Sequence, residues 1–126
     1  MDKNNALIDL SESNRIDYGR VDFSEQTHEQ QIFSAVWALE SRVNSGGFES
    51  FIEYEDPALV TFSPQALRTI GASNCAEIVQ RALSAGSDAL EDLDSEFYTY
   101  PDDLTEMLYT YVSTHPAVFG YMPSGT

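Results

Sequence analysis

The side chains best placed to do chemistry in this sequence are carboxylates, and they are densest between residues 88 and 106. Eight of these nineteen residues are Asp or Glu, and no Lys or Arg follows Arg81. If Leu90 and Leu93 face a core, the period of an α-helix turns most of the acids in this stretch toward solvent. Most such rows are simply solvated, but a row on rigid elements can also occupy a groove lined with Lys and Arg. The predicted partner-binding residues are Asp88, Glu91, Asp92, Glu96, Asp102, Asp103 and Glu106.

Two other acidic residues, Glu40 and Asp94, lie beside apolar helical faces. Glu40 projects between two apolar rows of its helix, and Asp94 lies only about 40° from Leu90 in helical phase. A buried carboxylate needs hydrogen bonds or a positive partner. We therefore expect Glu40 to accept hydrogen bonds from the backbone N–H groups of the turn at residues 44–48, or to meet an Arg from elsewhere.

A catalytic or metal site would have to be built from Glu40 and Asp94, with His28 or His115. The sequence has no His-Glu-x-x-His motif, no Cys cluster, no Ser elbow and no EF-hand spacing. Both histidines lie near predicted helix ends, which are common structural places for this residue. We expect no enzyme activity, no metal and no cofactor.

The element that must position these groups is a strongly amphipathic helix leading into a Gly pair. Ile32, Val36, Leu39 and Val43 recur at i, i+4, i+7 and i+11, which predicts one apolar stripe. Ser24 or Thr27 can cap its start, and Thr27 has Gln30 three residues on, as in a capping box. Gly46 suits the left-handed residue that often follows a helix end. Gly47 frees the chain to turn, so we expect Phe48, Phe51 and Ile52 to fold back onto the helix. The residues predicted to hold this corner are Glu40, Asn44, Gly46, Gly47 and Phe48, with Asp94 as a further structural carboxylate.

The rest of the chain predicts an all-α fold, a single compact domain of five to six helices with the Gly-Gly corner after the long central helix. Residues 1–23 are interpreted as an arm or short helix packing on the domain, with an edge strand at 15–23 as an alternative. Residues 24–119 form the helical domain and residues 120–126 a loose tail. Within the domain, residues 58–62 read as an apolar linker before a helix that begins at Ser63 and Pro64.

Composition narrows the function classes. The chain has 126 residues, 21 Asp and Glu against 6 Lys and Arg, and a formal net charge of −15. Direct binding to nucleic acid or to an anionic membrane is excluded as a default, because both require a positive surface. The apolar runs are too short to cross a bilayer, the N-terminus lacks a signal-peptide core, and Cys75 is the single cysteine. We expect a cytoplasmic protein.

Three blocks of sequence resemble a known family. They are ALESRVNSGGFESF at residues 38–51, QALRTIGASNCAEIVQRAL at 65–83, and LDSEFY at 93–98 followed by DDL at 102–104. In order and spacing they are similar to the small bacterial DNA-mimic protein domain family, over roughly residues 25–119. The central block departs from the usual pattern: Ser45 stands where a second Asn is common, and Ser50 and Ile52 replace a Gln and an aromatic residue.

The resemblance implies an acidic, all-helical homodimer that binds a basic DNA-binding protein, such as a transcriptional regulator, in place of DNA. Two alternatives stay open from the residues alone. One is an immunity-type protein that neutralises a basic nuclease toxin, and the other is a soluble helical dimer with no nucleic-acid link.

Overall fold

Seven α-helices and two short 3₁₀ helices make up the regular structure of residues 2–122, which are the residues that the computed structural model describes. No strand occurs in this range, and the prediction of an all-α fold is confirmed. Met1 and residues 123–126 lie outside it, and with them most of the predicted tail. The α-helices are α1 (Lys3–Ser11), α2 (His28–Tyr54), α3 (Pro57–Thr69), α4 (Ser73–Ser84), α5 (Leu90–Phe97), α6 (Leu104–Ser113) and α7 (Pro116–Phe119); the 3₁₀ helices are Phe23–Glu25 and Ser87–Ala89.

Helix α2 is the element on which the others pack, since α3, α5 and α6 all lie against it. Thr27 is its N-cap and accepts a hydrogen bond from the backbone N–H of Gln30. The Gln30 side chain does not close the capping box; it accepts from Asp17 N and donates to Arg15 O, which fastens the preceding segment to α2. The four residues of the predicted apolar stripe are fully buried: Ile32, Val36, Leu39 and Val43.

The helix is broken at Gly47, one residue later than predicted. Gly47 has φ 75° and ψ −178°, whereas Gly46 is not among the residues with positive φ, so the expectation that Gly46 is left-handed is wrong. The chain continues helically to Tyr54 after the break. Phe48 and Phe51 are fully buried there, but Ile52 is 38% exposed and does not fold back as expected.

Helix α3 begins at Pro57, so the prediction of an apolar linker at residues 58–62 is wrong. The side chain of Asp56 accepts a hydrogen bond from the first turn and caps the helix, and proline at the first helical position has no N–H that needs a partner. The linker prediction failed because Ser63-Pro64 looked like a stronger helix start.

Pro64 instead lies inside α3. A proline there cannot donate to the carbonyl four residues earlier, which is Val60 O. The hydroxyl of Ser63 donates to Val60 O at 2.7 Å in its place. Ser63 is fully buried, so this hydrogen bond satisfies an acceptor that water does not reach.

The two ends of the described chain meet the same core. Helix α1 packs on α6 and buries Leu7 and Leu10, and the predicted strand alternative at 15–23 is replaced by irregular structure and a 3₁₀ helix. The short helix α7 was not predicted. Its Phe119 is fully buried beside Phe33, with the ring centroids 6.0 Å apart, and Arg15 donates to Phe119 O.

Candidate acidic interaction surface

Three of the predicted partner-binding residues form an exposed and unpaired group at the start of α5. Asp88, Glu91 and Asp92 are exposed, and no hydrogen bond or ion pair engages their side chains within residues 2–122. We call them the α5 carboxylates. Leu93 and Phe97 bury the opposite side of the same helix, which packs on α2 and α4. Glu91 and Asp92 are therefore held on a packed helix, Asp88 lies on the 3₁₀ helix just before it, and all three face solvent.

Glu96 lies one turn further along α5 and is already paired. Its two carboxylate oxygens accept from the two terminal nitrogens of Arg81, at 2.8 and 3.1 Å. The hydrogen bond to Arg81 lowers the pKa of Glu96. Both side chains are nearly half exposed, so a cation of a partner protein can displace Arg81 from Glu96.

Asp102 does not face solvent, and its assignment to the surface is wrong. It is 8% exposed, and its oxygens accept from Cys75 N at 2.7 Å and from the Asn74 side chain at 3.1 Å. Helix α4 follows Ala72, which cannot cap it, so Asp102 supplies the missing acceptor from another part of the chain. Helical phase did not predict this because Asp102 lies outside any helix.

Asp103 and Glu106 are exposed at the start of α6, as predicted, but both have internal partners. Asp103 is the N-cap of α6 and accepts from the backbone N–H of Glu106 at 3.1 Å. The Glu106 carboxylate forms an ion pair with Lys3 of α1. The predicted row of carboxylates therefore divides into the unpaired α5 carboxylates and a second group at the start of α6 whose side chains have internal partners.

Asp94 joins α5 to the break in α2. Its Oδ1 accepts from Phe48 N at 2.8 Å, and a Cβ on Gly47 would lie 2.4 Å from its Oδ2. Tyr98 donates from its hydroxyl to Val43 O, on the other side of the break. Asp94 of α5 and Tyr98, which follows the end of α5, thus bond to backbone groups on both sides of the break. The sequence indicated only that Asp94 lies beside an apolar face.

Glu40 does not bond to the turn at residues 44–48, so that expectation is wrong. No hydrogen bond or ion pair to its side chain occurs within residues 2–122. Burial raises the pKa of Glu40, and the charge of Asp103 adds to the rise. Asn44, also predicted to hold the corner, is exposed and shares the lining of a small cavity with Glu40.

The other candidates for chemistry have structural surroundings. Burial and the neighbouring Asp102 raise the pKa of the Cys75 thiol to about 12, which keeps it protonated and unreactive near neutral pH. The ring of His28 meets Phe62 edge-on, and His115 Nδ1 lies 2.7 Å from Tyr111 O. Among the described residues, no three His, Cys, Asp or Glu side chains are placed to hold a metal ion.

A second network, which the sequence did not suggest, surrounds Glu55. Its Oε1 accepts from Tyr18 at 2.7 Å and from Arg42 Nε at 2.9 Å, and its side chain is only 8% exposed. Burial and the bond to Glu55 raise the pKa of Tyr18, so the phenol stays protonated. This network ties the segment before α2 to the end of α2.

Charge pairing is sparse across the described chain. Three carboxylates, Glu55, Glu96 and Glu106, form ion pairs within residues 2–122. The sequence holds 21 acids, so most of the negative charge is not compensated by a nearby cation. None of the helices described has the length and apolar character needed to cross a bilayer.

Comparison with known proteins gives one match. A family model described as DMP19-like protein matches residues 24–115, from the N-cap region of α2 to just beyond α6. No curated protein matches the chain. No solved structure matches it either.

Proposed function

We infer the function from the premise that this chain belongs to the DMP19-like protein family. We propose that it is a DNA mimic, which binds the DNA-binding surface of a basic protein such as a transcriptional regulator in place of DNA. It acts by binding and not by catalysis, needs no metal or cofactor, and works as a homodimer.

The observation that carries the proposal is the exposed, unpaired state of the α5 carboxylates. Asp88 lies in the 3₁₀ helix Ser87–Ala89 and Asp92 in the first turn of α5. They are four residues apart, a rise of roughly 6–8 Å along these helices, which is of the order of the spacing between phosphates on a DNA strand. Because no cation within residues 2–122 pairs with them, these carboxylates are available to a partner. Opposite charge on the partner speeds the encounter and fixes the orientation of binding.

The test is a competition for DNA-bound proteins. A bacterial extract is loaded on immobilised mixed-sequence duplex DNA at low salt, and the purified protein is added as eluant. We expect it to release specific DNA-binding proteins without itself binding the DNA, and to lose this ability as salt rises. Poly-glutamate of equal total charge is the control for non-specific displacement.

Matched variants separate the α5 surface from net charge. One variant carries Asp88→Asn, Glu91→Gln and Asp92→Asn. The control neutralises three exposed carboxylates elsewhere, with Asp9→Asn, Glu12→Gln and Glu25→Gln, so both proteins carry the same net charge. We expect the first variant to release the partner much less well and the control to resemble the wild type.

Two results would contradict the proposal. Equal losses in both variants would mean that only net charge matters, and release matched by poly-glutamate would mean that there is no specific partner. If the released protein is a nuclease toxin and not a regulator, the immunity-type alternative applies. Sedimentation analysis of the purified protein tests the homodimer, which a single species of 14.0 kDa would rule out.

A further inference from the structure

A cavity of about 420 Å³ opens between the middle of α2 and the turn that joins α5 to α6. A smaller one of about 100 Å³ lies beside it, and Glu40 and Thr105 line both. We propose that the larger cavity binds an arginine side chain of the partner protein, with Glu40 as its counter-ion. This inference rests on the proposed function in one respect, namely that the partner is a basic protein. The larger cavity is lined by Glu40, Phe97, Tyr100, Asp103, Leu104 and Thr105.

Glu40 is a carboxyl group with which no cation of the described residues pairs. It lies partly buried, and within residues 2–122 no side chain or backbone group donates to it. Glu40 keeps part of its contact with solvent, so burial removes only some of its hydration. Losing hydration without a partner is costly, and a guanidinium brought to the same place offsets that cost. Asp103 lines the same cavity and adds a second negative charge. The cavity therefore carries negative charge that a positively charged ligand would neutralise.

The walls suit a guanidinium on an apolar stem. The Tyr100 side chain is 67% exposed, and its backbone has φ 53°, an uncommon conformation for a residue other than glycine. Phe97 and Leu104 are almost fully buried and supply apolar wall. Arginine stacks its planar head on aromatic rings and lays its methylene stem along apolar surface, whereas the lysine ammonium is compact and more strongly hydrated. The cavity volume falls within the usual range of ligand sites, about 300–1,000 Å³.

The chain's own cations do not fill the cavity, because no Lys or Arg of the described residues lines it. Lys3, on the helix that packs against α6, forms an ion pair with Glu106 and lies over the ring of Tyr109. Arg81 is engaged by Glu96. An arginine in this cavity therefore has to come from another molecule.

The test uses Nα-acetyl-arginine amide as the probe and its neutral isostere, Nα-acetyl-citrulline amide, as the ligand control. Amide NMR spectra of the full chain are followed at low salt and neutral pH as each is added. We expect saturable shifts at Tyr100, Leu104 and Thr105 with the arginine compound and none with the citrulline compound. Nα-acetyl-lysine amide should bind more weakly than the arginine compound.

Two variants of α2 test whether probe binding depends on the charge of Glu40. Glu40→Gln keeps the shape and removes the charge, and we expect it to weaken probe binding about tenfold or more. Glu53→Gln removes an exposed carboxylate of α2 that lines neither cavity, and binding should be unchanged. Asp103→Asn keeps an N-cap residue and should weaken binding by a smaller factor.

The inference would be overturned by any of three results. These are NMR shifts spread evenly over the exposed carboxylates, binding of the citrulline compound as tight as that of the arginine compound, and unchanged probe binding in Glu40→Gln. These outcomes leave the DNA competition unaffected, because that assay depends on the α5 carboxylates. Conversely, localised arginine binding with no release of DNA-bound protein would overturn the proposed function alone.

Discussion

At the scale of single residues, Glu40 is a partly buried carboxyl group to which no donor within residues 2–122 bonds. Its pKa is raised above 4.5 mainly by burial, so the folded protein favours the protonated form. A raised pKa contributes stability that is fully present below the ordinary value and is lost as the pH rises through the raised one. The ionised carboxylate therefore lowers the free energy of unfolding at neutral pH.

We expect Glu40→Gln to raise the free energy of unfolding near pH 7, by an amount of the order of 1 kcal/mol. The gain should shrink as the pH falls through the raised pKa of Glu40, and it should be gone below the ordinary value of 4.5, where the carboxyl is protonated in the folded and unfolded states alike. Urea unfolding at several pH values measures it, with Glu53→Gln as the exposed control. A difference between variant and wild type that does not change with pH would contradict the account.

At the scale of elements, the break in α2 depends on α5. Gly47 takes a positive φ, and Asp94 lies where a side chain at position 47 would go. We expect Gly47→Ala to destabilise the protein by roughly 2–4 kcal/mol, since it adds backbone strain and displaces the carboxylate that bonds to Phe48 N. Thermal unfolding followed by circular dichroism measures the loss.

Gly46→Ala is the comparison for that experiment. Gly46 has no positive φ, and an added Cβ would meet the Ser50 side chain at 2.7 Å, a contact that a short side chain can relieve in part. We expect a smaller loss than at Gly47. Equal losses, or an unchanged melting curve for Gly47→Ala, would mean that the break does not need glycine at position 47.

Helical periodicity was enough to predict the elements that carry their own signal. The stripe ending in Val43, the Thr27 cap and the exposure of the α5 carboxylates all follow from residues within one turn of each other. What could not be predicted depends on distant partners. Asp102 looks like a surface acid until α4 is seen to need its oxygens, and Pro64 looks like a helix start until Ser63 is seen to replace its missing donor.

The candidate site shows the same division. Asp88, Glu91 and Asp92 were predicted as exposed because nothing but helical phase decides their direction. Glu96 and Glu106 were predicted as exposed as well, but their ion pairs involve residues 15 and 103 positions away in the sequence. Pairing over such separations follows from helix packing, which a single sequence does not specify.

At the scale of the whole molecule, uncompensated charge should limit stability. The net charge is −15, and three ion pairs are present within residues 2–122. Like charges repel more strongly in the compact state than in the unfolded chain. Salt shortens the range of that repulsion, from about 30 Å at 0.01 M to about 8 Å at 0.15 M.

We therefore expect the melting temperature to rise with sodium chloride over this range, by a few degrees for a gain of about 1 kcal/mol. The variant with neutralised α5 carboxylates should start higher at low salt and rise less. A flat or falling curve for the wild type would mean that self-repulsion does not limit its stability. The same charge links stability to binding. A basic partner that neutralises the α5 carboxylates should raise the melting temperature of the protein, and the rise should be largest at low salt. The reason is that the repulsion removed by the partner is strongest there.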